Sequence, residues 1–291
     1  MSHQTSNSST PQPARKKLSV PDIRDRKGGE KLVLLTAYTA PMAELLDAHC
    51  DMLMVGDSLG MVIYGMESTL PVSLEMMIAH GKAVVSRAKQ CNVVVDMPFG
   101  SYQANPSQAF ANAARLMKET GCAAVKMEGG SELAPTIRHL TSHGIPVMAH
   151  IGLMPQHMNT LGGFKAQGKD AAAHKAIMQA ARDVTAAGAF AVVLEGLMEP
   201  LAAEITRNIA IPTIGIGASP TCDGQVLVVD DMLGMFEQTP RFVKKFADLR
   251  GEISKAAAHY AKEVRSGQFP GDAQCYGVAS GSAKPKLAKK K

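Results

Sequence analysis

The 291-residue chain has no tryptophan and is only 4% aromatic, and none of its apolar runs approaches the ~20 residues that span a bilayer. It also lacks a 7 to 15 residue apolar core near the N-terminus, so neither a membrane span nor a secretory signal is expected. The five cysteines (Cys50, Cys91, Cys122, Cys222, Cys275) contain no CxxC pair, which argues against a disulfide framework or a cysteine metal site and suits a reducing cytoplasm. A net charge of +5 invites a nucleic-acid reading, but eight of the 31 basic residues lie in the acid-free stretches 1–17 and 277–291. The remaining 23 face 26 acidic residues, so the body is slightly negative and offers no basic face interleaved with aromatics.

Residues 1–17 are polar and rich in Ser, Thr, Asn, Gln and Pro, and read as a disordered leader. Pro11 and Pro13 count against an amphipathic transit helix. Residues 277–291 read as a solvated Lys-rich tail, leaving 18–276 as one domain, near the roughly 250 residues of a single α/β barrel.

Within that body, short apolar runs alternate with helical patterns, the signature of βα units around a parallel sheet. The runs are Lys31–Tyr38, Asp51–Ser58, Asn92–Phe99, Ala123–Gly129, Pro146–Leu153, Ala189–Gly196, Pro212–Ala218 and Gly224–Asp230. They lack polar alternation, as strands covered on both faces should. Eight such units favour a closed (β/α)8 TIM barrel over an open doubly wound sheet. Helix signals fall between the runs: Asn105, Pro106 and Gln108 form an N-cap, a first-turn proline and a reciprocal capping partner, Phe110, Ala113, Ala114 and Met117 form an apolar stripe, and Gly121 ends it. Leu74, Met77, Ile78, Val84 and Ala88 make a second stripe, and Ile177, Ala181 and Val184 a third that stops at Gly188.

Active sites of such barrels sit at the C-terminal strand ends, so the residues closing each run carry the chemistry. They are strongly biased: Asp57 and Ser58, Asp96, Lys126 and Glu128, His150, and Glu195. Four carboxylates on one rim repel one another and lose solvation unless a cation or shared protons neutralise them. Oxygen ligands without Cys or paired His point to a hard cation such as Mg2+. Lys126 and Glu128 are two apart in a strand and leave the same face. They read either as an ion pair or as a substrate-carboxylate grip beside a metal ligand, with a Schiff-base role for Lys126 as the chemical rival. His150 is a satisfied core histidine or a substrate contact, and the Gly215–Ala218 turn lacks a dinucleotide fingerprint and reads as close backbone approach.

Read together, the motifs resemble the ketopantoate hydroxymethyltransferase family. They are TAY (36–38), VGDSLG (55–60), STLPV (68–72), DMPF (96–99), KMEGG (126–130), HIGLMPQ (150–156), GGFKAQG (162–168), VLEG (193–196), IPTIGIGA (211–218) and DGQ (223–225). The resemblance covers about Leu18 to Tyr276 and departs from the family pattern at Thr39 and Phe164. It implies a barrel of the pyruvate-handling type that transfers a hydroxymethyl group from 5,10-methylenetetrahydrofolate to 3-methyl-2-oxobutanoate through a Mg2+-stabilised enolate, on the way to pantothenate. By the same resemblance Asp57, Asp96 and Glu128 fall on metal ligands, the last directly or through water. Asp57, Ser58, Asp96 and Lys126 fall on keto acid contacts, and Glu195 on the proton acceptor. A ring-like homo-oligomer, with a decamer among the forms to test, is implied as well. Two rivals stay open: a Mg2+-dependent lyase or mutase, which predicts a reactive cysteine motif on a loop, and a dead barrel used as a scaffold, which predicts loss of a rim acid.

Overall fold

The structure is a computed structural model and describes residues 16–277 apart from Phe164. The expected leader and Lys-rich tail lie outside the described residues but for Lys16, Lys17 and Gly277, and the departure at Phe164 lies outside them too.

Eight parallel strands close into a barrel in chain order, the last pairing with the first. They are β1 (Leu32–Thr36), β2 (Met52–Val55), β3 (Asn92–Asp96), β4 (Ala124–Glu128), β5 (Val147–Gly152), β6 (Ala191–Glu195), β7 (Thr213–Ile216) and β8 (Gly224–Leu227). A short α1 (Val20–Arg24) precedes β1, and α2 (Ala40–Leu46), α3 (Leu59–Val62), α4 (Leu74–Val85), α5 (Pro106–Thr120) and α6 (Ala134–Ser142) follow the next strands. The second half carries α7 (Met158–Leu161), α8 (Ala171–Ala186), α9 (Glu199–Asn208), α10 (Val229–Met232) and α11 (Leu249–Ser266). The (β/α)8 TIM barrel read from the sequence is the observed fold.

Strand alternation splits the core in two. Outward residues such as Leu53, Val55, Val93, Val95, Val125, Met127, Val147, Ala149, Val192 and Leu194 pack with helix stripes including Met77, Val84, Ala113, Leu116, Ile137, Ala181 and Val184. Inward residues form a separate cluster of Leu32, Leu34, Met52, Met54, Val94, Ala124, Met148, Ala191, Val193, Ile214 and Val226, joined by Ile23 of α1. Each such aliphatic side chain stabilises the barrel by about 1.5–3 kcal/mol when fully buried. Ile23 plugs the foot: α1 is fixed by a Ser19–Asp22 capping box, and Asn92 at the start of β3 donates its side-chain N–H to the Leu18 carbonyl. Two residues further along the same inward faces, the character changes to Asp96, Lys126, Glu128, His150 and Glu195. Register places Asp96 beside Lys126 and Glu128 beside His150.

Three local expectations shift. The eighth run ends as strand at Leu227, because Val229–Met232 turns helical and takes Asp230 with it. Gln108 reaches one residue past the N-cap: Asn105 Oδ1 accepts from Gln108 N, while Gln108 Oε1 accepts from Ala104 N at 3.1 Å. The deepest line of α5 is Ala109, Ala113, Leu116 and Thr120, with Phe110, Ala114 and Met117 flanking it. The stops hold, since Gly121 (φ 76°) and Gly188 (φ 94°) take a conformation that suits glycine. Thr39 caps α2, its hydroxyl accepting from Met42 N.

Candidate active site at the barrel mouth

A cavity of about 1590 Å3 opens at the C-terminal strand ends and is lined by Asp57, Ser58, Asp96, Lys126, Glu128, His150 and Glu195. The six site residues singled out in the sequence thus share one cavity, and His150 joins them. The rim acids that a dead barrel should lack are all present.

Lys126 Nζ donates to Asp96 Oδ2 at 2.8 Å and lies 3.8 Å from Glu128 Oε1, all three groups being buried. Asp57 N also donates to Asp96 Oδ2, at 3.1 Å. Burial alone would strip the proton from Lys126, but Asp96, Glu128 and Asp57 hold its pKa well above the ordinary value. A lysine kept cationic this way is a charge holder, which disfavours the amine-nucleophile alternative. On the other side, His150 Nδ1 lies 3.4 Å from Glu128 Oε1 and His150 Nε2 lies 3.4 Å from Glu195 Oε2, contacts that fall short of hydrogen bonds. Burial pulls the His150 pKa down, yet Glu128 and then Glu195 outweigh it and lift it to about 9.

The carboxylates respond differently to shared crowding. Burial, then Glu128 and Asp96, push Asp57 up to about 8. Burial raises Asp96 too, against the pull of Lys126. Burial also acts on Glu128, but His150, Lys126 and the Gln156 backbone N–H keep it below the usual range. With all four acids ionised, Asp57, Asp96, Glu128 and Glu195 would face Lys126 and protonated His150 with a surplus of two negative charges, which the raised Asp57 and Asp96 relieve by holding protons when no cation is there.

That surplus is a fit test for a divalent cation. Among the described residues Asp96 Oδ1 is buried with no hydrogen-bond partner, and the Asp57 carboxylate has one donor, Gln156 Nε2, on its Oδ2. Among the described residues no three His, Cys, Asp or Glu side chains close around one point. The donor set is therefore a pair of hard carboxylate oxygens to be completed by water and substrate, an arrangement that suits small oxophilic cations. Glu128 is less available: its Oε2 accepts from Gln156 N at 2.9 Å.

Three supporting residues were not singled out from the sequence. Tyr38 Oη pairs with Ser58 Oγ at 2.8 Å. Tyr102 and Gln156, both buried, knit the ends of β2, β3 and β4 together. Gln156 closes the HIGLMPQ motif directly after a proline; an amide there, following an apolar strand, is the available signal. The Gly215–Ala218 turn is a close-approach device as read: a Cβ on Gly215 would sit 2.9 Å from Gln225 Oε1, and one on Gly217 2.6 Å from the Phe242 ring.

The family model described as "Ketopantoate hydroxymethyltransferase" matches residues 17–272. This chain belongs to the ketopantoate hydroxymethyltransferase family. Among relatives, a protein of Paramagnetospirillum magneticum named 3-methyl-2-oxobutanoate hydroxymethyltransferase is 63% identical over 265 residues, covering 91% of this chain and 97% of that one. One of the same name from Sphingopyxis alaskensis is 60% identical over 267 residues, covering 92% and 93%. Among solved structures, a phosphonopyruvate hydrolase aligns with TM-score 0.59 at 12% identity, over 91% of this chain and 92% of that chain. A phosphoenolpyruvate phosphomutase from Streptomyces platensis aligns with TM-score 0.57 at 13% identity, over 86% and 88%. At such identities these two speak for the barrel fold alone. The lyase or mutase rival loses its footing on two counts: ketopantoate hydroxymethyltransferase relatives match nearly end to end, and Cys50, Cys91, Cys122 and Cys222 are buried while Cys275 lies beyond α11.

Proposed function

We propose that this enzyme, with residues 18–276 as its catalytic domain, transfers the one-carbon unit of 5,10-methylenetetrahydrofolate to 3-methyl-2-oxobutanoate, giving 2-dehydropantoate for pantothenate synthesis. In the balanced reaction the C3–H bond breaks, a C3–C bond forms to the methylene unit, water supplies the hydroxyl and tetrahydrofolate leaves. The observation that supports this most is the division of labour in the mouth. Among the described residues Asp96 Oδ1 is buried without a hydrogen-bond partner and the Asp57 carboxylate takes a single donor, whereas Glu195, with a side chain 15% exposed, stands apart beyond His150.

Mg2+ is the proposed cation; Asp57 and Asp96 would hold it, with Glu128 as the third acid of the set. When bound it would supply electrophilic stabilisation of negative charge on the keto oxygen. The chain's own groups do the rest. Lys126 and Ser58 hold the keto acid carboxylate, and the apolar wall excludes water from the reacting carbon. Glu195 accepts the C3 proton, and the His150 ring lies 3.4 Å from its carboxylate.

No helix among the described residues is long and apolar enough to cross a membrane, and four buried cysteines held as thiols support work in the reducing cytoplasm. A homo-oligomer is supported by two uncovered surfaces. The helix α11 buries none of its residues and exposes Ile253, Tyr260 and Val264, and Val33 on the outside of β1 is 46% exposed.

The test is C3 proton exchange of 3-methyl-2-oxobutanoate in D2O, followed by NMR without folate. Exchange should require Mg2+, stop with EDTA, and fall by roughly 10²–10⁴-fold in Glu195→Gln. If the metal-loaded protein shows no exchange either alone or with folate added, the mechanism is wrong.

A further inference from the structure

Among buried groups at the mouth that the reaction does not consume is the Gln156 side chain, which is 3% exposed. It enters the mouth from the 3-10 turn Pro155–His157 that follows β5, and it touches three other strand ends. Gln156 N donates to Glu128 Oε2 at 2.9 Å. Its Nε2 donates to Asp57 Oδ2 at 2.8 Å and to the Met97 carbonyl at 3.0 Å. Its Oε1 accepts from Tyr102 Oη at 2.6 Å and from Gln103 Nε2 at 3.2 Å. Both amide protons and both acceptor positions are therefore used, which fixes which end of the amide faces which partner.

Tyr102 makes that orientation one-way. Its oxygen accepts from Glu128 N at 3.1 Å, and of the two acceptors its single proton can reach, the Glu128 carbonyl at 3.1 Å and Gln156 Oε1 at 2.6 Å, the Gln156 oxygen is the nearer. With Oε1 committed to Tyr102, Nε2 has to face Asp57. A buried carboxylate gripped through one oxygen has its rotation about Cβ–Cγ stopped, and the other oxygen is left to point at whatever lies in the cavity.

We propose that Gln156, oriented by Tyr102, is a positioning residue of the site: by holding Asp57 Oδ2 and Glu128 Oε2 together it aims the free Asp57 oxygen and sets the affinity for cation and keto acid, taking no part in proton transfer. The inference rests on the function proposed above. Ligand-orienting partners of this kind typically control affinity by 10–100-fold when removed. The amide serves here where an acid cannot, since a carboxylate at 156 would set like charge against Asp57 and an acceptor against the Met97 carbonyl oxygen.

The experiment compares full-length wild type, Gln156→Met and Tyr102→Phe. Mn2+ binding is read by electron paramagnetic resonance without substrate, KM and kcat by keto acid proton exchange, and folding by thermal melts in EDTA. Gln156→Met should bind Mn2+ roughly 10–100-fold more weakly and raise the KM for keto acid, with a smaller change in kcat. Tyr102→Phe, which keeps the amide but loses the hydroxyl that orients it, should fall between it and wild type. Wild-type Mn2+ affinity and KM in a folded Gln156→Met protein would overturn the proposal. If that variant does not fold, the same wild-type values in Tyr102→Phe would overturn it equally. A loss of kcat alone would make Gln156 part of the proton chemistry and overturn the positioning role. Absence of both Mn2+ binding and exchange in wild type removes the functional reading itself, and this inference with it.

Discussion

Asp57 and Asp223 are equally buried, each 4% exposed, and they stand at opposite ends of the same barrel. At the foot, Asp223 Oδ2 accepts from Thr213 N at 2.8 Å, Thr213 Oγ1 at 3.0 Å and Lys27 Nζ at 2.9 Å, while Oδ1 accepts from Gly28 N at 2.9 Å. Burial presses its pKa upward, yet these donors together hold it below the ordinary range. At the mouth, the Asp57 carboxylate has one donor among the described residues, Gln156 Nε2, and carboxylate neighbours, so it is driven up to about 8. One carboxylate ties β7, β8 and the α1–β1 connection into a closed ring. The other is held in readiness, at a cost in stability that the foot and the two apolar layers offset.

The largest expected break in this comparison is at the foot. Asp223→Ala strands the Thr213 and Gly28 N–H groups and a half-buried lysine, and should lower the unfolding free energy by about 3–5 kcal/mol in urea titrations. The sign with pH follows from a lowered folded pKa. The contribution is present above the unfolded value near 3.8 and lost as pH falls through the folded value, so the variant should show a weaker acid limb than wild type. A wild-type urea midpoint would mean that Asp223 does not close the ring.

Asp57→Asn should do the opposite. The folded pKa of Asp57 is raised, so its contribution is full below about 3.8 and lost as pH rises through about 8. In EDTA, wild type should lose melting temperature over that window, and Asn, which keeps an acceptor for Gln156, should remove the loss. Each kcal/mol of relieved repulsion is worth about 2–4 °C in a domain of this size. Any slope that persists toward pH 9 belongs to His150, whose folded pKa is also raised and whose contribution fades from 6.5 through about 9. The variant should show no thermal shift on adding Mg2+. A retained shift, or a lower melting temperature than wild type at pH 8 in EDTA, would remove Asp57 from the cation site.

The mouth was far more legible than the foot. Run-ending acids on strands with no polar alternation announce themselves, and period-two spacing alone puts Lys126 and Glu128 on one face. Asp223 appears only as the first letter of a DGQ motif, because its meaning lies in partners 10 and about 195 residues away along the chain. Gln156 hid for the same reason: an uncharged amide carries no signal of burial until the ends of β2, β3 and β4 are brought to it. The eighth run overshot because Val228, Val229 and Asp230 continue a strand-like string, while the chain has already turned, with Val229 N donating to Thr36 Oγ1. Strand periodicity sees the run and not the hydroxyl that ends it.

The finest test removes one atom from the foot. Thr213→Val keeps the β-branched shape that suits a strand and replaces a hydroxyl that donates to Asp223 Oδ2 at 3.0 Å and pairs with Thr206 Oγ1 at 2.9 Å. Thr213 N–H still reaches Asp223 Oδ2, so the carboxylate is weakened rather than abandoned. The expected loss is about 0.5–1.5 kcal/mol, read as a lower urea midpoint with an unchanged slope. Proton exchange and Mg2+ response should stay at wild-type levels, because no contact of Asp223 reaches the mouth. If this change also weakens Mg2+ binding, foot and mouth are coupled through the barrel layers, and two carboxylates that look independent belong to one electrostatic system.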